Sequence, residues 1–173
     1  MEAERSMVTI DPLPQSAEAF AVLQERVART PEGGAAVMVV ALLLYAEDKV
    51  LGERCLGGAV DGGRLQPVAA GRRLGRRDLQ LIASQVGGRP YVLRSYLAGA
   101  CPENGYRMPE PPLQIEWSTN PYSGDVDSGR YKVFVASSGA DSPRPVTVRR
   151  DPEGLWKAYE WSSLLLGVRD PAQ

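Results

Sequence analysis

The sequence predicts an α+β fold: a helical layer of about five helices packed on a small antiparallel sheet of about four strands. Helical periodicity is confined to residues 16–100, and alternation of apolar and polar residues is confined to residues 101–173. This segregation favours α+β over a parallel sheet, in which the two patterns would alternate. Because 173 residues suit one domain, we expect a single α+β domain over residues 16–173, preceded by an N-terminal arm over residues 1–15.

The N-terminal half carries start and stop signals for each helix. In the arm, residues 8–10 can add an edge strand before two prolines stop it. Ser16, Thr30 and Asp48 are suitable N-caps, and Pro31 suits a first helical position. The predicted helices span about residues 16–30, 31–47, 49–60 and 76–87, with a short fifth helix from residue 90. Residues 61–75 are predicted to be a connection rich in glycine and arginine.

The second helix holds the longest apolar run, twelve residues over 35–46. A membrane-spanning helix needs about 20 such residues, so this run predicts a helix buried in the core. The first residues are acidic and no apolar signal segment follows them. We therefore expect a soluble, cytoplasmic protein without membrane association, in which Cys55 and Cys101 are free thiols.

The C-terminal half predicts four strands separated by turns. Alternating patterns lie at residues 113–117, 131–135, 146–149 and 155–159. Turn chemistry at residues 120–125 and 151–154 separates them. Four aromatic residues are the candidates for the seam between sheet and helices: Trp117, Phe134, Trp156 and Trp161.

Composition narrows the function classes. The chain has no histidine, which excludes a Ser-His-Asp triad, a Cys-His dyad and a histidine-ligated metal. The pairs Gly57-Gly58 and Gly62-Gly63 lack the Gly-Lys-Ser/Thr ending of a phosphate loop and are interpreted as helix ends. We predict no cofactor and no metal. These absences favour a protein that is not an enzyme, although the carboxylate, lysine, tyrosine, serine and cysteine side chains present could still catalyse a reaction.

Charge is unevenly distributed although the net charge is only −1. Residues 64–94 hold seven arginines against one acid, whereas residues 101–129 hold five acids against one arginine. We predict a partner-binding surface at Arg72, Arg73, Arg76 and Arg77. The two regions could instead face each other within the fold or across a symmetric self-contact. Nucleic-acid binding is the weaker alternative, because few aromatic residues lie among the arginines.

A second candidate site is the loop over residues 137–145 (SSGADSPRP). Asp141 and Ser142 suit turn hydrogen bonds, and Arg144 between two prolines presents a rigid guanidinium. With Glu103 and Tyr106 from the preceding loop, these residues could bind a small anionic ligand, with Asp141 or Glu103 as acid or base. In the alternative interpretation, the loop is a stiff connection in which Arg144 pairs with Asp141.

Several segments together resemble a known family. They are residues 89–106 (RPYVLRSYLAGACPENGY), 120–123 (NPYS), 138–145 (SGADSPRP), 156–157 (WK) and 160–164 (EWSSL). They resemble an uncharacterised bacterial family, a domain of unknown function. The resemblance implies no activity, cofactor or catalytic residue.

The leading hypothesis is a non-enzymatic protein–protein interaction module, such as an adaptor or an accessory or structural subunit of an intracellular assembly. It rests on the missing histidine, the lack of a catalytic or cofactor motif and the split charge distribution. We expect a protein partner or self-association. The alternatives are an anionic-ligand-binding protein or a histidine-independent enzyme with its site near residues 137–145.

Overall fold

The α+β class is confirmed in a computed structural model, which describes residues 6–69 and 71–172. The helices are α1 (Ala17–Val27), α2 (Pro31–Glu47), α3 (Lys49–Ala59), α4 (Arg76–Val86) and α5 (Tyr91–Arg94). The strands are β1 (Ser6–Ile10), β2 (Leu65–Val68), β3 (Gly71–Leu74), β4 (Leu113–Ser118), β5 (Arg130–Val135), β6 (Arg144–Arg150) and β7 (Trp156–Glu160). Short 3-10 turns follow α3, at Gly62–Arg64, and β7, at Ser162–Leu165.

The main sheet is antiparallel, with the strand order β1-β4-β5-β6-β7. It has one strand more than predicted because β1 pairs with β4 along its whole length, from Ser6 opposite Trp117 to Ile10 opposite Leu113. The strand pattern at residues 8–10 therefore marks a sheet edge. The division of the chain into an arm and one domain stays a prediction.

A separate hairpin, β2–β3, lies in the segment predicted to be a plain connection. Its strands have four residues each and are exposed apart from Leu74 and the half-buried Leu65. Pro67, a residue uncommon in strands, lies within the first strand and stands opposite Arg72. Such short strands on the surface carry no alternating pattern, which explains why periodicity missed them.

Helix α2 is the centre of the core. Its N-cap Thr30 accepts a hydrogen bond from the Gly33 N–H at 3.1 Å, and Pro31 occupies the first turn. Every residue from Gly33 to Tyr45 is buried, against α3 on one side and β5, β6 and β7 on the other. An added Cβ on Gly34 would lie 2.6 Å from the Trp156 carbonyl oxygen, so glycine permits this close approach. None of the helices in the described ranges is long and apolar enough to cross a membrane.

The sheet has an inner face toward α2 and an outer face away from it. Val133, Val135, Val146 and Val148 are buried on the inner face. Since successive side chains of a strand alternate, Phe134 lies on the outer face and is only half-buried.

The expected aromatic seam is thus partly wrong. Trp156 and Trp161 are buried in the core and Trp117 packs partly buried against it, whereas Phe134 does not contribute. Phe134 cannot point toward the helices, because its two valine neighbours on β5 occupy the inner face of the sheet and alternate side chains point to opposite faces.

Candidate functional site

The two loops predicted to form a ligand site do meet. Gly139 lies so close to Tyr106 that an added Cβ would overlap the tyrosine hydroxyl. The Tyr106 ring is fully buried and stacks on Tyr91 with the ring centroids 5.4 Å apart. Tyr106 therefore helps to hold the two loops together, and its ring is closed to a ligand.

The C-terminal segment, residues 164–172, crosses the junction between these loops. The Tyr106 hydroxyl donates to the Arg169 carbonyl at 2.6 Å, and the Arg169 N–H donates to the Gly139 carbonyl at 2.9 Å. The Arg144 Nη2 donates to the Leu166 carbonyl at 2.9 Å. Both predicted site residues, Tyr106 and Arg144, thus bind the protein's own backbone.

The remaining residues predicted for this site, Asp141, Ser142 and Glu103, lie at the surface. Asp141 and Ser142 are exposed, and within the described ranges no ion pair joins Asp141 to Arg144 within 4.0 Å. Glu103 is exposed, and hydrogen bonds from its own backbone N–H and from Cys101 lower the pKa of its carboxyl group. A lowered pKa disfavours a general acid. The ligand-binding role of these residues stays a prediction.

The four arginines predicted to bind a partner divide into two groups. Arg73 lies on β3, and Arg76 and Arg77 begin α4; all three are exposed. Arg72, also on β3, lines a cleft between the hairpin, the end of α3 and the β6–β7 turn. The structure therefore distinguishes Arg72 from the other three by its position.

This cleft, which we call the basic cleft, has a volume of about 510 Å³. Its charged lining comprises the cations Arg72, Arg149, Arg150 and Lys157 and the carboxylates Asp61 and Asp151. Four cations against two carboxylates leave an excess of two positive charges. Two other polar clefts on the outer sheet face, of about 330 and 320 Å³, each hold two cations and two carboxylates.

Glycines let the arginines of the basic cleft approach the backbone. An added Cβ on Gly62 would lie 2.7 Å from the Arg72 Nη1, and one on Gly63 would lie 4.0 Å from the Arg149 Nη1. Two guanidinium groups from different strands thus converge on consecutive residues of one turn. Gly57, predicted to mark a helix end, lies within the last turn of α3, where its missing side chain makes room for the Arg72 carbonyl.

The two carboxylates of the cleft are already engaged. The Asp61 Oδ1 accepts the Gly63 N–H at 2.9 Å, and the Asp151 Oδ1 accepts two backbone N–H groups of its own turn, each at 2.9 Å. Their ion pairs are long: 3.8 Å from Asp61 to Arg149 and 3.9 Å from Asp151 to Lys157. Their first role is to cap turns, so they neutralise the cations only in part.

Among the described residues, no carboxylate lies within 4.0 Å of the guanidinium groups of Arg72 and Arg150. Arg150 stacks over the Trp156 ring, 5.6 Å from its centroid. Arg72 and Arg150 therefore form no ion pair with the described residues of the chain.

A row of cations continues from the cleft across the outer sheet face. Arg130 on β5 stands opposite Arg149 on β6, and Arg149 stands opposite Lys157 on β7; we call these three residues the cation row. Neighbouring strands lie about 4.8 Å apart, so the row extends about 10 Å. Like charges directly opposite each other are destabilising. Glu160, Asp61 and Asp151 lie 4.0, 3.8 and 3.9 Å from Arg130, Arg149 and Lys157 and offset the repulsion in part, and a bound anion would offset it further.

Tyr159 lies against this row. The guanidinium groups of Arg149, Arg64 and Arg130 lie 4.8, 5.3 and 5.6 Å from the centre of its ring. Sequence reasoning counted Arg64 in the basic stretch over residues 64–94, and it missed Arg130 and Arg149 because they lie far apart on different predicted strands. A local signal was the Arg149-Arg150 pair, at the end of the third predicted strand and directly after it.

Comparison with known proteins gives the family and no activity. No curated protein and no solved structure matches the chain significantly. One family model, described as "Domain of unknown function (DUF6935)", matches residues 12–172. The match covers nearly the whole chain and confirms the resemblance that the sequence segments indicate. The chain therefore belongs to the DUF6935 family of domains of unknown function.

Proposed function

We propose that this chain is a protein-interaction module that binds an acidic segment of a partner protein through the basic cleft and the cation row. The observation that carries the proposal is the excess of positive charge in the cleft, whose two carboxylates are engaged by backbone N–H groups. A surface that holds like charges in register is relieved by a ligand of opposite charge.

The chemistry of the lining suits carboxylates of a protein segment. Arginine presents a planar fork of donors that binds carboxylates in pairs of hydrogen bonds. Arginine and tyrosine are also enriched at protein interfaces, and Tyr159 is held in place among three arginines. Charge complementarity of this kind steers association and fixes the register of the partner.

A small anionic ligand is the second candidate. The volume of the cleft, about 510 Å³, falls within the range of roughly 300–1,000 Å³ that is usual for small-molecule sites. This candidate transfers the anion-binding hypothesis from residues 137–145 to the basic cleft. It requires no contact with Arg130, the one member of the cation row that does not line the cleft, and this difference separates it from the leading proposal.

A matched pair of charge-reversed variants tests the proposal. The cleft variant carries Arg72→Glu and Arg149→Glu, and the control carries Arg76→Glu and Arg77→Glu, with the same change in net charge at exposed positions outside the cleft. Each is compared with the wild type for binding to a fluorescent oligo-glutamate peptide at low and high salt. We expect the cleft variant to lose at least about tenfold in affinity and the control about threefold or less, because close charge pairs contribute more than remote ones.

The same variants are then used to capture partners from native cells. A partner that the wild type and the control retain, and that the cleft variant loses, supports the proposal. Equal loss by both variants would mean that net charge alone attracts the partner. Binding that survives in the cleft variant would refute the role of the cleft. The melting temperatures of all variants are measured first, so that a misfolded protein is not mistaken for a binding defect.

A further inference from the structure

We infer that the basic cleft accepts a phosphoryl group on the acidic segment, so that the partner is recognised when a serine or threonine of that segment is phosphorylated. The inference rests on the proposed function and specifies the partner's chemistry. It depends on the charge, the donor arrangement and the shape of the cleft.

The charge of the cleft matches a phosphate better than a carboxylate. Its four cations and two carboxylates leave two positive charges. A phosphorylated side chain carries a charge of about −1.5 to −2 near neutral pH, whereas a carboxylate carries −1. A single phosphoryl group can therefore neutralise the excess, and a single carboxylate leaves part of it.

The donors come from several directions. Arg72 approaches from β3, and Arg149 and Arg150 approach from the end of β6. Lys157 on β7 already donates to the Gly58 carbonyl at 2.8 Å, so it contributes mainly its charge. A phosphate has three strong acceptor oxygens in a tetrahedral arrangement, which suits donors that converge from different sides. A planar carboxylate is satisfied by one guanidinium fork and would leave the other donors of the cleft unused.

The open volume of the cleft, about 510 Å³, has room for a bulky group. The absence of side chains on Gly62 and Gly63 lets the guanidinium groups of Arg72 and Arg149 lie close to the backbone beside this space. The two charge-balanced clefts on the outer sheet face have about two thirds of the volume, 330 and 320 Å³ against 510 Å³. Of these three clefts in the described part of the chain, the basic cleft alone combines an excess of positive charge with this space.

The cation row favours a phosphate that is part of a protein chain over a free phosphate. Arg149 and Lys157 belong to both the cleft and the row, whereas Arg130 lies one strand further out and is not part of the cleft lining. A free phosphate in the cleft needs no contact with Arg130, because Arg130 does not line the cleft. An extended acidic segment would place its phosphorylated residue in the cleft and a neighbouring carboxylate near Arg130.

Three peptides test this inference on the whole chain. Each has one central residue flanked by two glutamates on either side, and the central residue is phosphoserine, glutamate or serine. Affinities are measured by fluorescence anisotropy, with inorganic phosphate as a competitor. We expect the phosphoserine peptide to bind about tenfold or more tightly than the glutamate peptide, because the phosphate adds one to three charge-assisted hydrogen bonds.

Single variants then identify which residues cause the preference for the phosphoserine peptide. Arg72→Gln should reduce the ratio between phosphoserine and glutamate affinity toward one. Arg130→Gln should weaken both peptides by a similar factor and keep the ratio. Arg76→Gln, outside the cleft, is the control and should change neither affinity.

The outcomes separate this inference from the proposed function. Equal binding of the phosphoserine and glutamate peptides through the cleft overturns the phosphoryl inference and leaves the proposed function standing. If inorganic phosphate binds as tightly as the phosphoserine peptide, the ligand is a free anion and the inference fails. If no peptide binds, or if Arg72→Gln leaves the affinity of every peptide unchanged, both the inference and the proposed function fail.

Discussion

The contact between Gly139 and Tyr106 gives a sharp test of how the C-terminal segment is held. The Tyr106 hydroxyl donates to the Arg169 carbonyl at 2.6 Å, so Tyr106→Phe should cost about 1–2 kcal/mol of unfolding free energy. Gly139→Ala would drive a methyl group into that hydroxyl, 3.2 Å from the ring carbon Cζ and 3.0 Å from the Val168 Cγ1. Overpacking of this kind costs about 2–3 kcal/mol.

The double variant reveals the coupling. Removing the hydroxyl removes the worst overlap, so Gly139→Ala should cost about 1–2 kcal/mol less when it is combined with Tyr106→Phe than when it is made in the wild type. Gly139 does not lie in the left-handed region of φ, so alanine adds no backbone strain and the coupling reports the steric contact alone.

Urea unfolding followed by tryptophan fluorescence measures all four proteins of the cycle. In a chain of this length, each kcal/mol also shifts the melting temperature by about 2–4 °C. Ser142→Ala, an exposed change in the same loop, is the control and should stay within about 0.5 kcal/mol of the wild type. Additive losses in the double variant would refute the contact.

Three further predictions concern the core and the thiols. Gly34→Ala should lower the free energy of unfolding by about 1–3 kcal/mol, because its Cβ would lie 2.6 Å from the backbone of β7. Gly58→Ala, whose Cβ would have its nearest neighbour at 3.5 Å, should raise the free energy of unfolding by about 0.5–1 kcal/mol. Urea unfolding measures both variants. Tyr96→Phe should cost about 1–3 kcal/mol in the same assay, because the buried hydroxyl donates to a backbone carbonyl of the C-terminal segment. Burial raises the pKa of Cys55 to about 11, because the fold favours the protonated thiol. The stability gained from burying this protonated thiol is complete below the ordinary pKa of 9.0 and is lost as pH rises toward 11. Near pH 8, a thiol reagent should therefore label the half-buried Cys101 alone in the native protein, and Cys101→Ser should abolish rapid labelling.

Local signals predicted the helices well because their causes are local. Ser16, Thr30 and Asp48 each cap a helix with the side chain, as their positions before apolar segments indicate. These helices begin at Ala17, Pro31 and Lys49. A cap needs only a side chain and a backbone N–H two or three residues away, and both can be identified from neighbouring residues.

The candidate site depends on contacts that local patterns do not contain. Arg130 and Arg149 lie nineteen positions apart and become neighbours only through the register of β5 and β6. Arg72 joins them through a hairpin that periodicity did not predict. The charge count over residues 64–94 therefore identified a basic stretch, of which Arg72 lines the basic cleft and Arg64 lines a neighbouring cleft.

The same limit applies to the predicted ligand loop. Its residues were chosen for their chemistry, and the two loops do meet as the hypothesis requires. The structure adds the C-terminal segment, which accepts the hydrogen bonds of Tyr106 and Arg144. That long-range contact has no signature in the loops themselves.

The position of α2 has a consequence for synthesis of the protein. The helix ends at Glu47, and the strands that cover it end at Glu160, 113 residues later. At about 5–20 residues per second, a ribosome needs roughly 6–23 s to make that stretch. During this interval, a helix that is apolar on all sides lacks the strands that cover one of its sides, although α3 has already been made. We expect the nascent chain to bind chaperones through this helix, and to aggregate when the chain is made faster than chaperones can bind it.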